Sequence, residues 1–429
     1  MTSAELFDRG SRVIPGGVNS PVRAFNSVGG TPVYMASGKG SRLTTVEGRE
    51  LIDFCGSWGP LILGHAREEV VEAATEATAR GMSFGANTVA EVEFAELLCS
   101  RIPHAEKVRL VSSGTEATMT ALRLARGVTG RTKILKFNGG YHGHSDGLLV
   151  AAGSGLLTGG VSSSAGVTDT VAADVFIPQY NDLEAVDAIV AESGGDLAAV
   201  IVEPIAGNMG VVPPAPGFLE GLRTACTRCG ALLIFDEVIT GFRMGPTTYG
   251  NIAGVTPDLT CLGKIIGGGM PIGGIVGPDA IMEQLAPNGA VYQAGTLSGN
   301  PVAVAAGMKT LEILIREHPY PRLTALGADI ATGVNEAARR HGVAMHCAAF
   351  GGSFTCFFRR DPVRNLEQAK DCDTKAFAAF YHAMLAGGIY LPPSQFETAF
   401  VSAAHSNADI GVFLEVVDSA LAQQRRNSE

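Results

Sequence analysis

Apolar and polar positions along the chain alternate between two rhythms from residue 107 onward. "KVRLVSS" (107–113) reads as a strand running into "GTEATMTALRLARGVTG" (114–130), whose apolar positions recur at helical spacing. "TKILKF" (132–137), "LAAVIVEP" (197–204) and "GALLIFDEV" (230–238) read as further strands. The last two are nearly continuous apolar runs, as expected of parallel strands buried on both faces. Between them "GFLEGLRTACTRCG" (217–230) reads as a crossover helix, and "DLTCLGK" (258–264) and "PIGGIVG" (271–277) add two short strands. This alternation predicts an α/β domain with a mostly parallel sheet flanked by helices. Such sheets take ligands at the carboxyl ends of their strands.

The rhythm differs on either side. Residues 33–54 read as short strands around turns, and 67–80 and 90–102 as helices. "GNPVAVAAGMKTLEILIR" (299–316) predicts an alanine-rich buried helix. Beyond it come a helix (321–341), strands in "GVAMHCAAF" and "GSFTCFF", and helices over 372–387 and 407–425. The pattern predicts three parts: an N-terminal segment (1–50), a large domain (51–315) and a smaller C-terminal α+β domain (316–429) with which the first segment packs.

Composition narrows the class. With 46% hydrophobic and 17% charged residues, the chain is globular, and 55 glycines imply many tight turns. A net charge of -10 without a basic tract argues against nucleic acid and anionic membranes as partners. No apolar run is long enough to span a membrane, and "MTSAELFDRGSRVIPGG" lacks a signal peptide's apolar core. The eight cysteines are scattered and do not suggest a disulfide scaffold, so a reducing cytoplasm is expected. Cys226 and Cys229 form a lone CxxC on the crossover helix. Without a second pair nearby, two half-buried thiols on one helical face are a better reading than a redox or metal pair.

Several positions carry candidate chemistry. In "VSSGTEAT", Ser113, Gly114 and Thr115 turn from a strand into a helix, which is either an ordinary cap or a cradle for phosphate. No GxxxxGK[ST] occurs, which disfavours a P-loop. Asp236 ends a buried strand, where a carboxylate needs a metal or a cation such as a protonated ring nitrogen. Lys264 ends another strand and precedes three glycines. Alone it is either a snorkelling side chain or a desolvated nucleophile. Together, phosphate cradle, strand-end aspartate and strand-end lysine are the protein parts that pyridoxal phosphate requires. Tyr141, in the loop "NGGYHGH", suits stacking on a planar ring. His142 and His144, with no carboxylate cluster beside them, do not predict a metal site. Residues 151–173 are small and polar, either a surface linker or a mobile lid.

With these residues assembled, the chain resembles the class III aminotransferases of pyridoxal-phosphate fold type I along nearly its whole length. The resemblance rests on "IPGGVNSPVRAF" (14–25), "SWGPLILGH" (57–65), "SGTEATMTALRLARG" (113–127), "GGYHGHSD" (139–146), "VEPIAGNMG" (202–210), "DEVITGFR" (236–243), "LGKIIGGGMP" (262–271) and "VYQAGTLSGNP" (291–301). The first and last are characteristic of the family's aminomutases rather than its general transaminases. The resemblance implies pyridoxal 5'-phosphate, interconverting with pyridoxamine 5'-phosphate, and no metal. It implies Lys264 as the lysine bonded to the cofactor, Asp236 on the pyridine nitrogen and Tyr141 over the ring. Ser113, Gly114 and Thr115 would hold the phosphate, Thr296 would reach it from a second subunit, and Asn208 would lie near the ring hydroxyl. Arg23 and Ser20 would anchor the substrate carboxylate, with Trp58 and Glu397 lining the pocket and residues 151–173 acting as a lid. The implied reaction converts 4-amino-5-oxopentanoate to 5-aminolevulinate through 4,5-diaminovalerate, in a homodimer with shared sites. Contact with the enzyme that supplies the reactive aldehyde is a further implied partnership. A class III enzyme acting on another amino acid is the alternative.

Overall fold

A computed structural model describes residues 1–150 and 164–428. Of the stretch expected to act as a lid, residues 151–163 lie outside the described residues.

The centre is a seven-stranded sheet. Its spatial order is Lys107–Val111, Gly273–Gly277, Leu259–Leu262, Leu232–Asp236, Leu197–Val202, Lys133–Leu135 and Val175–Phe176. The last five strands run parallel to one another, while Gly273–Gly277 lies antiparallel to both of its neighbours. Every residue of Leu197–Val202 is buried, and so is every residue of Leu232–Asp236 except the partly buried Leu232, which is why these two strands read as nearly continuous apolar runs. The helix Gly114–Thr129 packs small residues, among them Ala117, Ala121 and Ala125, against one face. The helix Phe218–Cys229 covers the other through Leu219, Leu222 and Cys226. Cys226 is buried, and all eight cysteines are free.

Two small sheets flank this core. Met35–Lys39, Arg42–Thr45 and Glu50–Asp53 form one, joined in parallel by Ile389–Tyr390 from near the other end of the chain. His346–Phe350, Ser353–Phe357 and Ala399–Phe400 form the other. The strands Val175–Phe176, Ile389–Tyr390 and Ala399–Phe400 escape sequence reading because two residues carry no periodicity. The helix Leu183–Ser193, capped by Asp182, was also not anticipated.

The helix Pro301–Glu317 crosses beneath the turn that follows Leu262. Asn300 caps it by accepting from the amides of Val302 and Ala303. Gly307 sits where the two segments touch: a Cβ there would lie 1.9 Å from the carbonyl oxygen of Ile266. In most helices Gly→Ala stabilises by about 1 kcal/mol. Here the sign reverses, because the methyl group would push Ile266 and the neighbouring Lys264 out of place. Gly307→Ala is expected to cost about 1–3 kcal/mol of stability, measured as a lowered Tm; an unchanged or raised Tm would refute this packing.

Candidate active site

The strands of the central sheet deliver their polar residues to one end. Val111 hands over to Ser113, Phe235 to Asp236 and Leu262 to Lys264, and these residues border one cavity of about 430 Å³. Ser113 caps the helix Gly114–Thr129, its hydroxyl accepting from the amide of Glu116 at 3.2 Å. The amides of Gly114 and Thr115 lie in the first turn, where a helix provides no carbonyl partner, and they open onto the same cavity. An anion is favoured there by free donors and helix dipole together.

Asp236 is 5% exposed. Its Oδ1 accepts from the Val238 amide at 3.1 Å, and its Oδ2 lies 2.8 Å from Nδ1 of the buried His142. Facing a carboxylate, that nitrogen carries the proton. His142 is therefore a partner of Asp236. Among the described residues no group of three or more His, Cys, Asp or Glu could hold a metal ion. Sequence reasoning treated His142 only as half of a metal pair and missed this contact, although its place beside Tyr141 was a signal.

Glu203 was missed as a site residue too. It is fully enclosed and accepts from the amides of Tyr141 at 2.9 Å and Gly207 at 2.8 Å. Burial raises its pKa, partly opposed by His142 and these two amides. As Asp236 ends a buried strand, Glu203 directly follows one, and that similar placement was legible in "VIVEP". Its amide contacts fix the loop that carries Tyr141 and the loop that carries Asn208.

Lys264 does not end a strand, as expected, but opens the short turn Lys264–Gly267 with a left-handed φ of 47°. Desolvation lowers its pKa against the pull of Asp236, Glu203 and Glu397, so its amine is biased toward the neutral, nucleophilic form.

A second cavity of about 410 Å³ shares Tyr141, Asn208, Ile239 and Lys264 with the first, and adds Ser20, Trp58 and Glu397. Arg23 borders a third, outer cavity that shares Asn19 and Trp58 with the second. Its side chain is exposed. Thr296 is the expected residue that this chain does not bring to the others: it is exposed and borders a separate surface cavity with residues 83–88.

Trp58 is held in an uncommon backbone. Gly56, Ser57, Trp58 and Gly59 have successive φ values of 54°, 55°, 69° and 113°. Left-handed backbone costs roughly 1–2 kcal/mol for each non-glycine residue, so the surroundings must impose this turn. The Asp53 carboxylate accepts from the amides of Cys55 at 2.8 Å and Gly56 at 3.2 Å. Arg243 donates to the carbonyl of Gly59.

A parallel sheet with an anion-binding helix terminus, a buried acid and a desolvated lysine at one end defines a class of cofactor-dependent enzyme. The family described as Aminotransferase class-III matches residues 25–395, and the chain belongs to it. A Bordetella avium protein named glutamate-1-semialdehyde 2,1-aminomutase is 55% identical to it over 420 residues, 98% of each chain. A solved transaminase with PLP bound is 31% identical, with a TM-score of 0.89 over 99% of this chain and 98% of its own. A glutamate-1-semialdehyde-aminomutase of Pseudomonas aeruginosa PAO1, solved in complex with PMP, is 27% identical, with a TM-score of 0.87 over 98% and 94%.

Gly143 tests the anion cradle. A Cβ there would lie 2.6 Å from Oγ1 and 2.7 Å from Cα of Thr115, at a φ of 88° that disfavours any side chain. Gly143→Ala is expected to displace Thr115 and weaken pyridoxal phosphate binding about tenfold or more, since hydrogen bonds to charged groups contribute roughly 1.5–3 kcal/mol. Equilibrium titration of the cofactor checks this, and unchanged affinity would refute the cradle.

Proposed function

We propose that the protein converts glutamate-1-semialdehyde to 5-aminolevulinate, the tetrapyrrole precursor, by intramolecular amino transfer with pyridoxal 5'-phosphate and its pyridoxamine form. The cofactor reading is carried by the meeting of Lys264, Asp236 and the first turn of Gly114–Thr129 around one cavity. The substrate follows from the full-length likeness to proteins of that name. When bound, the cofactor supplies an electron-withdrawing ring that stabilises negative charge at the carbon losing a proton.

In this reading the chain's own residues divide the work. Ser113, Gly114 and Thr115 bind the phosphate. Asp236, steadied by His142, would hold the ring nitrogen in its protonated form. Tyr141 would cover one face of the ring, and Asn208 would lie beside its hydroxyl. Lys264 would hold the cofactor through its amine, and its Nζ would hold and move the proton. Arg23 and Ser20 receive the substrate carboxylate, for which the planar guanidinium offers two donors. Trp58 and Glu397 form the wall around the reacting carbons.

Thr296, distant from Lys264 within one chain, completes the phosphate site of a second copy, so the working unit is a homodimer with shared sites. Residues 51–315 form the cofactor-binding unit, and 1–50 and 316–429 together the smaller one. The protein works in the cytoplasm and takes its reactive aldehyde by contact with the enzyme that makes it. Among the described residues no helix is long and apolar enough to cross a membrane.

The test is conversion without an added amino donor. The purified holoenzyme is expected to turn glutamate-1-semialdehyde into 5-aminolevulinate in buffer alone. A strict requirement for an external amine would favour an ordinary transaminase instead. Lys264→Ala is expected to lose about 10³-fold or more in kcat and to leave no cofactor attached after borohydride treatment. Thr296→Val is expected to weaken cofactor affinity about tenfold; unchanged affinity would sink the shared site.

A further inference from the structure

Among the described residues Arg243 is the largest fully buried side chain, and no carboxylate pairs with it there. Its Nε has no hydrogen-bond partner there. A buried cation in this state is costly and does not arise from packing alone. Its contacts are specific. The guanidinium lies over the ring of Phe400, 4.7 Å from its centre, and donates to the carbonyl of Gly59. A Cβ on Gly59 would lie 3.3 Å from Phe400 Cζ, 3.4 Å from Lys264 Cδ and 3.6 Å from Arg243 Nη2. The left-handed turn, the lysine stem and the guanidinium therefore meet at one point.

We infer that Arg243 is a positioning residue that locks the turn Gly56–Gly59 against the stem of Lys264 and sets the charge environment of its amine. The inference rests on the role proposed above for Lys264. Three features support it. The turn carries Trp58, so one guanidinium fixes the substrate wall and the reacting lysine relative to each other. Gly59 has a φ of 113°, which disfavours any side chain, and a Cβ there would touch all three groups. Asp236, Glu203, Glu397 and Arg243 are the charged groups around Lys264, and Arg243 alone disfavours its ammonium form. Burial also pulls the guanidinium down to about 9, yet it stays charged at neutral pH.

Two readouts separate this role from simple packing. Trp58 is the only tryptophan in the chain, so emission excited beyond the tyrosine absorption band reports on the turn. The visible absorbance of the holoenzyme reports on protonation of the nitrogen of Lys264. Arg243→Met is expected to shift the tryptophan emission and to raise the pH midpoint of the visible band by about one unit. The sign follows from removing a neighbouring positive charge. Arg243→Lys keeps the charge but loses the planar fork, so its emission is expected to shift while the midpoint stays within roughly 0.3 units. A folded Arg243→Met holoenzyme with the wild-type midpoint would overturn the proposal. If Arg243→Met does not fold, unchanged emission in Arg243→Lys overturns it. Borohydride attachment of the cofactor to Lys264 in the unaltered protein is measured alongside. Its absence would refute the role given to Lys264, whereas its presence with unmoved readouts refutes only the role given to Arg243.

Discussion

An amine can attack a carbonyl only while it lacks its proton, and water is what normally keeps a lysine protonated. The rest of the site is arranged around withholding that water from Lys264. Desolvation lowers its pKa, and the acids around it, Asp236, Glu203 and Glu397, would undo this if they stood close and unpartnered. The buried acids are occupied instead. Asp236 faces His142 and the Val238 amide, and Glu203 takes two amides. The same hydrogen bonds that quiet the acids also fix the loops bearing Tyr141 and Asn208. Electrostatics and positioning are thus one set of contacts.

The sheet makes this convergence possible. Residues far apart in sequence arrive together because parallel strands end on the same side. Asp236 ends a strand, and Ser113 and Lys264 follow strands, whose apolar residues are mostly buried. Their polar character becomes costly or useful only because the strand ends there. The small sheet at the chain's beginning brings the turn Gly56–Gly59 to the same place, so the site has one wall from the central sheet and one from outside it.

This explains what could be read from the sequence. Long buried strands and capped helices declare themselves through periodicity, and an acid or lysine at a strand end stands out against apolar neighbours. Asp236, Lys264 and the Ser113 turn were legible for that reason. Arg23, Ser20, Trp58, Asn208, Glu397 and Thr296 were not; they lie in loops without a local pattern, and only family resemblance pointed to them. His142, Glu203 and Arg243 went unrecognised because their importance lies in contacts across the fold. Arg243 comes seven positions after Asp236, but nothing local says that its charge is buried beside Lys264. The left-handed backbone of Ser57 and Trp58 is equally silent, since neither residue type favours it.

The antiparallel strand Gly273–Gly277 has a consequence for assembly. Lys107–Val111 is one edge strand, and among the described residues its only neighbour in the sheet is Gly273–Gly277. A chain emerging from the ribosome therefore makes the Ser113 turn early but has nothing to pair it with until residue 277 appears. The five parallel strands can collect first, leaving the anion-binding turn to close over them last. Non-local pairing of this kind is slow, and until it happens this strand has both of its edges open.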